Sequence, residues 1–279
     1  MSDVIKVAAV QMEPKLMQPG YNLDVIIENI QIAAEEGARL IVFPECTLSG
    51  YMFTSLDEAL PYMETIPGPF TDEITKHAKK LNVHIVAGLL EKDGNKHFNT
   101  SLLIGPDGFI GKYRKIHLPY LGIDRYIDKG DQPFKVYNTQ IGNIGMHICY
   151  DCNFPECARV MALMGADILV LPTNWPDGRQ KIAEHVVPCR AYENKVYFVA
   201  ANRIGVERGT KFIGLSRIID TRGDIVAAAI EDKEQIVYGN ISISEARQKQ
   251  VVFKTGEFEI NFFADRRPDF YSKITDENK

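Results

Sequence analysis

Apolar residues recur along this chain in two rhythms. Short runs such as IKVAAVQ (Ile5–Gln11), ARLIVFP (Ala38–Pro44), HIVAGLL (His84–Leu90), NIGMHICY (Asn143–Tyr150), DILVLP (Asp167–Pro172) and KVYFVAAN (Lys195–Asn202) predict strands. Between them lie amphipathic stretches. Tyr21–Ala38 places Leu23, Ile26, Ile27, Ile30, Ala33 and Ala34 on one helical face, with Gly37 where the helix should stop. Thr71–Leu81, the segment from Tyr150 to Gly165, Gly178–Asn194 and Ile243–Val251 also predict helices. Asn99–Lys115 reads as two strands around a turn at Pro106–Gly108, and Phe212–Ile230 as a hairpin turning at Thr221–Asp224, with IVYGNIS a late strand. Strands and helices alternating, with hairpins among them, imply a layered α/β fold with a mixed sheet. No linker, low-complexity tract or charge block interrupts residues 1–279, so one domain is expected, and the aromatic but aperiodic segment 254–279 is expected to pack on a neighbouring subunit.

Composition narrows the function. Of 279 residues 45% are hydrophobic and 25% charged, with a net charge of −5, so no basic excess points to nucleic acid. No apolar run approaches the roughly 18 residues of a membrane span. The opening MSDVIKVAAVQMEP lacks a basic stretch followed by an apolar one, so the cytoplasm is the expected compartment. Five cysteines, an odd number, fit reduced thiols. Cys149, Cys152 and Cys157 lie close together, but no second C-x-x-C exists to complete a closed zinc site, and no metal is expected.

The tetrapeptide FPEC occurs twice, at Phe43–Cys46 and Phe154–Cys157. In the first copy Pro44 halts a strand and leaves Glu45 at its carboxyl end, where ligand sites form in α/β sheets. Burial there would raise its pKa and improve it as a base; capping a nearby loop is the plain structural alternative. The second copy suits a helix start: Pro155 in the first turn, Glu156 favourable to the helix dipole, Asn153 or Asp151 available to cap, and Cys157 packing inward. Ahead of it, GMHICYD leaves Cys149 at a strand-to-helix elbow, where the positive helix pole would favour thiolate and the N–H of Tyr150 would face an oxyanion. A buried cysteine at a tight turn is the alternative. The stretch KYRKIHLP offers Lys112, Arg114 and Lys115, with strand alternation setting Lys115 opposite Arg114; one lysine in a pocket would stabilise negative charge, while a solvated basic run is the ordinary reading.

Taken together, VFPECTLSGY, GKYRKIHLP and GMHICYDCNFPE, in that order, resemble the nitrilase (carbon–nitrogen hydrolase) superfamily, with LPTNWP, RAYENKVYFVAANR and DRRPDFY as further similar segments. The resemblance runs from Val7 to Tyr271. It implies a four-layer αββα sandwich with mixed sheets that pairs into a homodimer, and a Glu–Lys–Cys triad at Glu45, Lys115 and Cys149. It also implies hydrolysis of a non-peptide C–N bond in a small amide through a thioester, without metal or organic cofactor. Many members carry a second glutamate after the lysine. Here the first acid after Lys115 is Asp124, the candidate for that place, with pairing to Arg125 or a surface lysine as the alternative. The pair Tyr150–Asp151 favours amide over nitrile substrates, with an N-carbamoyl amide second, and a catalytically silent scaffold of the same fold is the reading from another class. Asn174 and Trp175, at a strand end, are expected to border the pocket, with Tyr51 and His117 as further candidates.

Overall fold

The computed structural model describes residues 3–229 and 232–276. The first half of the chain builds one sheet from β1 (Val4–Gln11), β2 (Ala38–Val42), β3 (His84–Asp93), β4 (Lys96–Gly105) and β5 (Gly108–Arg114). The second half builds another from β6 (Val136–Thr139), β7 (Gly142–Met146), β8 (Ile168–Thr173), β9 (Tyr197–Asn202), β12 (Arg217–Ile219) and β13 (Ile225–Ala228), with β10 (Ile204–Glu207) and β11 (Thr210–Ile213) forming a separate hairpin. The late strand β14 (Gln235–Ser242) returns to pair antiparallel with β1, Val4 opposite Ser242 and Gln11 opposite Gln235. The strand orders are β14-β1-β2-β3-β4-β5 and β13-β12-β9-β8-β7-β6. Each sheet has three central parallel strands, β1-β2-β3 and β7-β8-β9, flanked by antiparallel ones. Both sheets are therefore mixed.

Side-chain alternation turns these sheets into a sandwich. Val7, Ala9, Leu40, Val42 and Val86 from the first sheet share one buried cluster with Ile144, Met146, Ile168, Val170 and Val199 from the second. The alternate residues Ala8, Val10, Ile41 and Ile85 face the other way, where Ile26, Ile30 and Ala33 of α1 (Pro19–Glu35) and Ile74 and Ala78 of α3 (Pro69–Leu81) cover them; the short α2 spans Leu56–Ala59. On the opposite outer face, α4 (Pro155–Leu163) supplies Ala158, Met161 and Ala162, and α5 (Val187–Asn194) supplies Val187 and Ala191. The result is the expected αββα order of layers, with a strand buried on both faces wherever the sequence runs continuously apolar.

Several boundaries differ from the sequence expectation. The first helix starts at Pro19, whose fixed φ suits the first turn, and stops at Glu35 ahead of Gly37 (φ 84°), leaving Ala38 to β2. The strand expected over Asn143–Tyr150 ends at Met146. The helix expected to follow directly is first a 3₁₀ turn, Cys149–Asn153, and becomes α-helical only at Pro155. The helix expected over Gly178–Asn194 contains a wide π-type turn at Ile182–Val186 before α5. Helix α6 (Ile243–Arg247) stops short of the expected Val251, and the aperiodic segment beyond it carries a hairpin, β15 (Gln250–Lys254) with β16 (Phe258–Asn261), stacked through Phe253 and Phe258. Its side chains are mostly exposed, so no alternation marked it in the sequence.

Core and periphery should respond differently to truncation. Leu40→Ala, between the sheets, is expected to cost about 2–5 kcal/mol in urea unfolding, whereas Val252→Ala, half-exposed on the terminal hairpin, should stay within about 0.5 kcal/mol.

Candidate active site

The candidate side chains Glu45, Lys115 and Cys149 lie just beyond the carboxyl ends of β2, β5 and β7. After β2 the chain makes a tight turn: Phe43 N–H donates to Val86 O, and Ser49 and Gly50 donate back to Cys46 O. Cys46 takes a left-handed backbone (φ 47°). This turn crosses directly over β3 at Gly88, where a Cβ would lie 2.5 Å from Cys46 N; glycine is what admits it. Glu45 is thereby pushed inward and fully buried. Its Oε1 accepts from Lys115 Nζ at 2.6 Å and from Asn99 Nδ2 at 2.6 Å. Its Oε2 has no hydrogen-bond partner among the described residues.

Lys115 lies just past β5, held by its own N–H to Asn99 O at 2.8 Å. The alternation along this strand is as expected. Lys112 and Arg114 turn to Glu91 on the opposite face, while Lys115 points inward and is completely buried. Its ammonium also donates to Asp124 Oδ2 at 2.5 Å. Asp124 is carried by a 3₁₀ turn, Gly122–Arg125, and accepts as well from Tyr51 Oη at 2.8 Å and Asn99 Nδ2 at 3.1 Å. Of the two alternatives for Asp124, the buried lysine is the partner found.

One ammonium thus faces two carboxylates in a site without bulk water. Burial raises the pKa of Glu45, with the Asp124 charge adding to it against the opposing pull of Lys115. For Lys115, burial by itself favours the neutral amine, but Asp124 and Glu45 outweigh it and hold the ammonium well above its ordinary value. The lysine stays charged and the glutamate is the better base.

Cys149 begins the 3₁₀ turn with a left-handed backbone (φ 45°), a strained conformation for a side chain at the end of a strand. It is 8% exposed. The expectation of a thiolate favoured by a helix pole is corrected here. The α-helix starts six residues later at Pro155, and burial, with Glu45 adding to it, pushes the Cys149 thiol up to about 12. Lys115, the Thr173 side chain and the Asn174 backbone N–H pull the other way but do not overcome it. Cys149 therefore rests as a thiol, and the carboxylate whose charge acts on it most is Glu45.

The remaining candidates divide. Asn174 follows β8 and is buried, with both its side-chain amide atoms lacking partners among the described residues. Trp175 is buried in the main apolar cluster, its backbone N–H donating to Asn202 Oδ1 at 2.8 Å. Tyr150 is half-buried, its ring edge-on to Phe154, and its backbone N–H donates no hydrogen bond among the described residues. His117 lies outside the ammonium cluster and contacts Asp151 instead. Asp151 does not cap α4; its carboxylate turns back to Ile148 N. In the second FPEC copy Glu156 is exposed and Cys157 buried, as expected of a helix start. The metal-ligating side chains grouped together among the described residues are His117, Asp151 and Cys157, within 4.8 Å of one another. Cys149 and Cys152 are not among them.

Asn99, which the sequence reading does not single out, donates to both acids of the cluster, and Tyr51, named there only as a further candidate, donates to Asp124. The available signal was NTS (Asn99–Ser101), three consecutive polar residues between Phe98 and Leu102 in the buried stretch of β4.

A family model described as carbon–nitrogen hydrolase matches residues 6–250. The protein called nitrilase in Pyrococcus abyssi (strain GE5 / Orsay) is 38% identical over 270 residues, covering 96% of this chain and 99% of its own length. The citrullinase of Francisella tularensis subsp. tularensis (strain SCHU S4 / Schu 4) is 33% identical and covers 97% of this chain and 98% of its own. The crystal structure of a carbon–nitrogen hydrolase from Helicobacter pylori G27, 25% identical, superposes with a TM-score of 0.88 over 99% of both chains. The chain belongs to the nitrilase superfamily of carbon–nitrogen hydrolases, in its amidase-like branch.

Proposed function

We propose that this hydrolase cleaves the C–N bond of a small amide through a thioester on Cys149, giving a carboxylic acid and ammonia. The observation that carries the reading is the division of labour on Glu45: one oxygen is clamped by Lys115 and Asn99, the other has no partner among the described residues, and the Glu45 charge acts on the buried Cys149 thiol. A thiol held near 12 does not ionise spontaneously, so its proton leaves as sulfur attacks the amide carbon, passing to Glu45. The amide oxygen becomes an oxyanion held by Lys115 and the Tyr150 N–H; a preorganised donor of this kind lowers the barrier by about 3–4 kcal/mol. Glu45 returns the proton to the departing nitrogen, the C–N bond breaks and ammonia leaves. A water then loses a proton to the same carboxylate and attacks the thioester, and the thiol is restored. Asp124 keeps Lys115 charged throughout, in the place where many relatives carry a glutamate. Asn174, with a buried donor and acceptor both unused, is suited to hold the substrate's polar atoms.

An N-carbamoyl substrate is the second reading, favoured by the likeness to a citrullinase; it would release carbon dioxide with the ammonia. A nitrile is the third, from the likeness to the Pyrococcus protein. Ammonia release from a panel of small primary amides, N-carbamoyl amines and nitriles separates them. No release from any of them would favour a silent scaffold. On the preferred substrate, Cys149→Ala should lower turnover by about 10³-fold or more with the fold intact, and Cys152→Ala should leave it near wild type. Mass spectrometry of the stalled wild type should find the acyl adduct on the peptide containing Cys149, and a label on Cys189 instead would overturn the assignment.

The pH profile follows from the direction of the Glu45 shift. Glu45 must be unprotonated to receive the thiol proton, and burial raises its pKa above the ordinary 4.5. Activity should therefore fall as pH drops through a value higher than 4.5, and an acidic limb of kcat/KM below 4.5 would contradict the role given to Glu45.

The reading of residues 1–279 as one working domain extends to a homodimer in the cytoplasm. Val160 and Leu163 on α4 and Ile274 in the terminal segment are exposed apolar residues lining one groove, a surface suited to a second copy. Light scattering should give twice the chain mass, and Leu163→Glu should shift it toward the monomer while leaving the buried triad unaltered. All five cysteines are free thiols, which fits a reducing compartment.

A further inference from the structure

Asp151 is fully buried and plays no part in the chemistry described above, yet its carboxylate is saturated with donors. Oδ2 accepts from the backbone N–H of Ile148 at 2.9 Å, the residue immediately before Cys149. The same oxygen accepts from Tyr113 Oη at 2.8 Å, two residues before Lys115. Oδ1 accepts from the backbone N–H of His117 at 3.2 Å, two residues after Lys115. His117 Nδ1 lies 2.7 Å from Oδ1, where the Nδ1–H tautomer donates, and the ring is stacked on Phe154 at 3.8 Å. One carboxylate thus grips the Cys149 turn on one side and brackets Lys115 in both chain directions on the other.

We propose that Asp151 is a positioning residue that sets the placement of the Lys115 ammonium relative to the Cys149 sulfur. The two groups come from different sheets: Lys115 follows the edge strand β5 of the first and Cys149 follows β7 of the second. Apolar packing between sheets fixes their separation but leaves lateral sliding weakly opposed, because dispersion contacts have little directionality. Hydrogen bonds to a buried charged acceptor are directional and strong in the low dielectric, and here they lock the two segments to each other. The geometry also explains why an acid is required at this position. An asparagine has one accepting oxygen, so either amide orientation would turn its NH₂ toward a backbone N–H, that of Ile148 or that of His117.

This inference rests on the hydrolase reading, and the experiment keeps the two apart. Wild type, Asp151→Asn and Tyr113→Phe are compared for kcat and KM on the best substrate of the panel, and for the rate at which iodoacetamide alkylates Cys149. Circular dichroism and thermal unfolding report folding. A placement error of about 1 Å should lower kcat by about 100-fold in Asp151→Asn while KM stays within about threefold, and should slow alkylation by about tenfold. Tyr113→Phe, which removes one of the grips, should lose kcat by about tenfold, and the double variant should be no worse than Asp151→Asn alone because both act through one carboxylate. A folded Asp151→Asn with wild-type kcat and alkylation rate overturns the proposal. Should that variant not fold, Tyr113→Phe decides: full kcat overturns it, and a kcat loss at unchanged KM supports it. A wild type that releases no ammonia from any substrate sinks the hydrolase reading instead, and the alkylation rates still test the placement of Cys149.

Discussion

The arrangement depends on a single buried cation shared between two carboxylates. Lys115 reaches Glu45 and Asp124 at 2.6 and 2.5 Å with all three side chains out of contact with water. An ammonium buried alone would lose its proton, and a pair of carboxylates buried alone would hold one. Together, the carboxylates hold the Lys115 ammonium well above its ordinary value, and burial with the Asp124 charge raises the pKa of Glu45 and makes it a stronger base. Such a cluster is costly to desolvate and does little for stability by itself, so the surrounding fold must hold it together.

The fold does this through strand ends and tight crossings. Glu45 and Cys149 each sit just beyond a central strand, one from each sheet, next to a residue or at a residue forced into a left-handed backbone. Asn99 joins the first sheet to the cluster three times, through its carbonyl to Lys115 N, and through its amide to Glu45 and Asp124. The loop carrying Tyr51 is anchored from the second half of the chain, where Glu207 accepts from the N–H groups of Tyr51 and Met52 and is itself paired with buried Arg203. A polar framework built from both halves surrounds the candidate site, while the apolar layer between the sheets supplies the dry medium in which that framework is strong.

The electrostatics also fix the order of events. With the thiol held near 12, a resting thiolate is not the ground state, so in the proposed reaction the nucleophile forms only as a substrate carbon becomes available. The helix pole assumed from the elbow motif does not reach Cys149, because a 3₁₀ turn stands between the sulfur and α4; in the proposed mechanism activation comes instead from Glu45, over a hundred residues away in sequence.

By itself the sequence determined the layered α/β architecture and the strand ends that carry Glu45, Lys115 and Cys149. Apolar periodicity is a local property, and so is the halt that Pro44 places on β2 or the alternation that sends Lys112 and Lys115 to opposite faces. Tertiary structure alone decided what those side chains meet. That Asp124 finds Lys115 and Tyr51, the latter 73 residues away, that Asn99 bridges two acids, and that Asp151 ties Tyr113 and His117 to Ile148 could not be read from spacing. The protonation state of Cys149 was likewise misjudged from sequence, because a pKa is set by burial and by charges brought near through folding, and neither leaves a periodic trace in the chain.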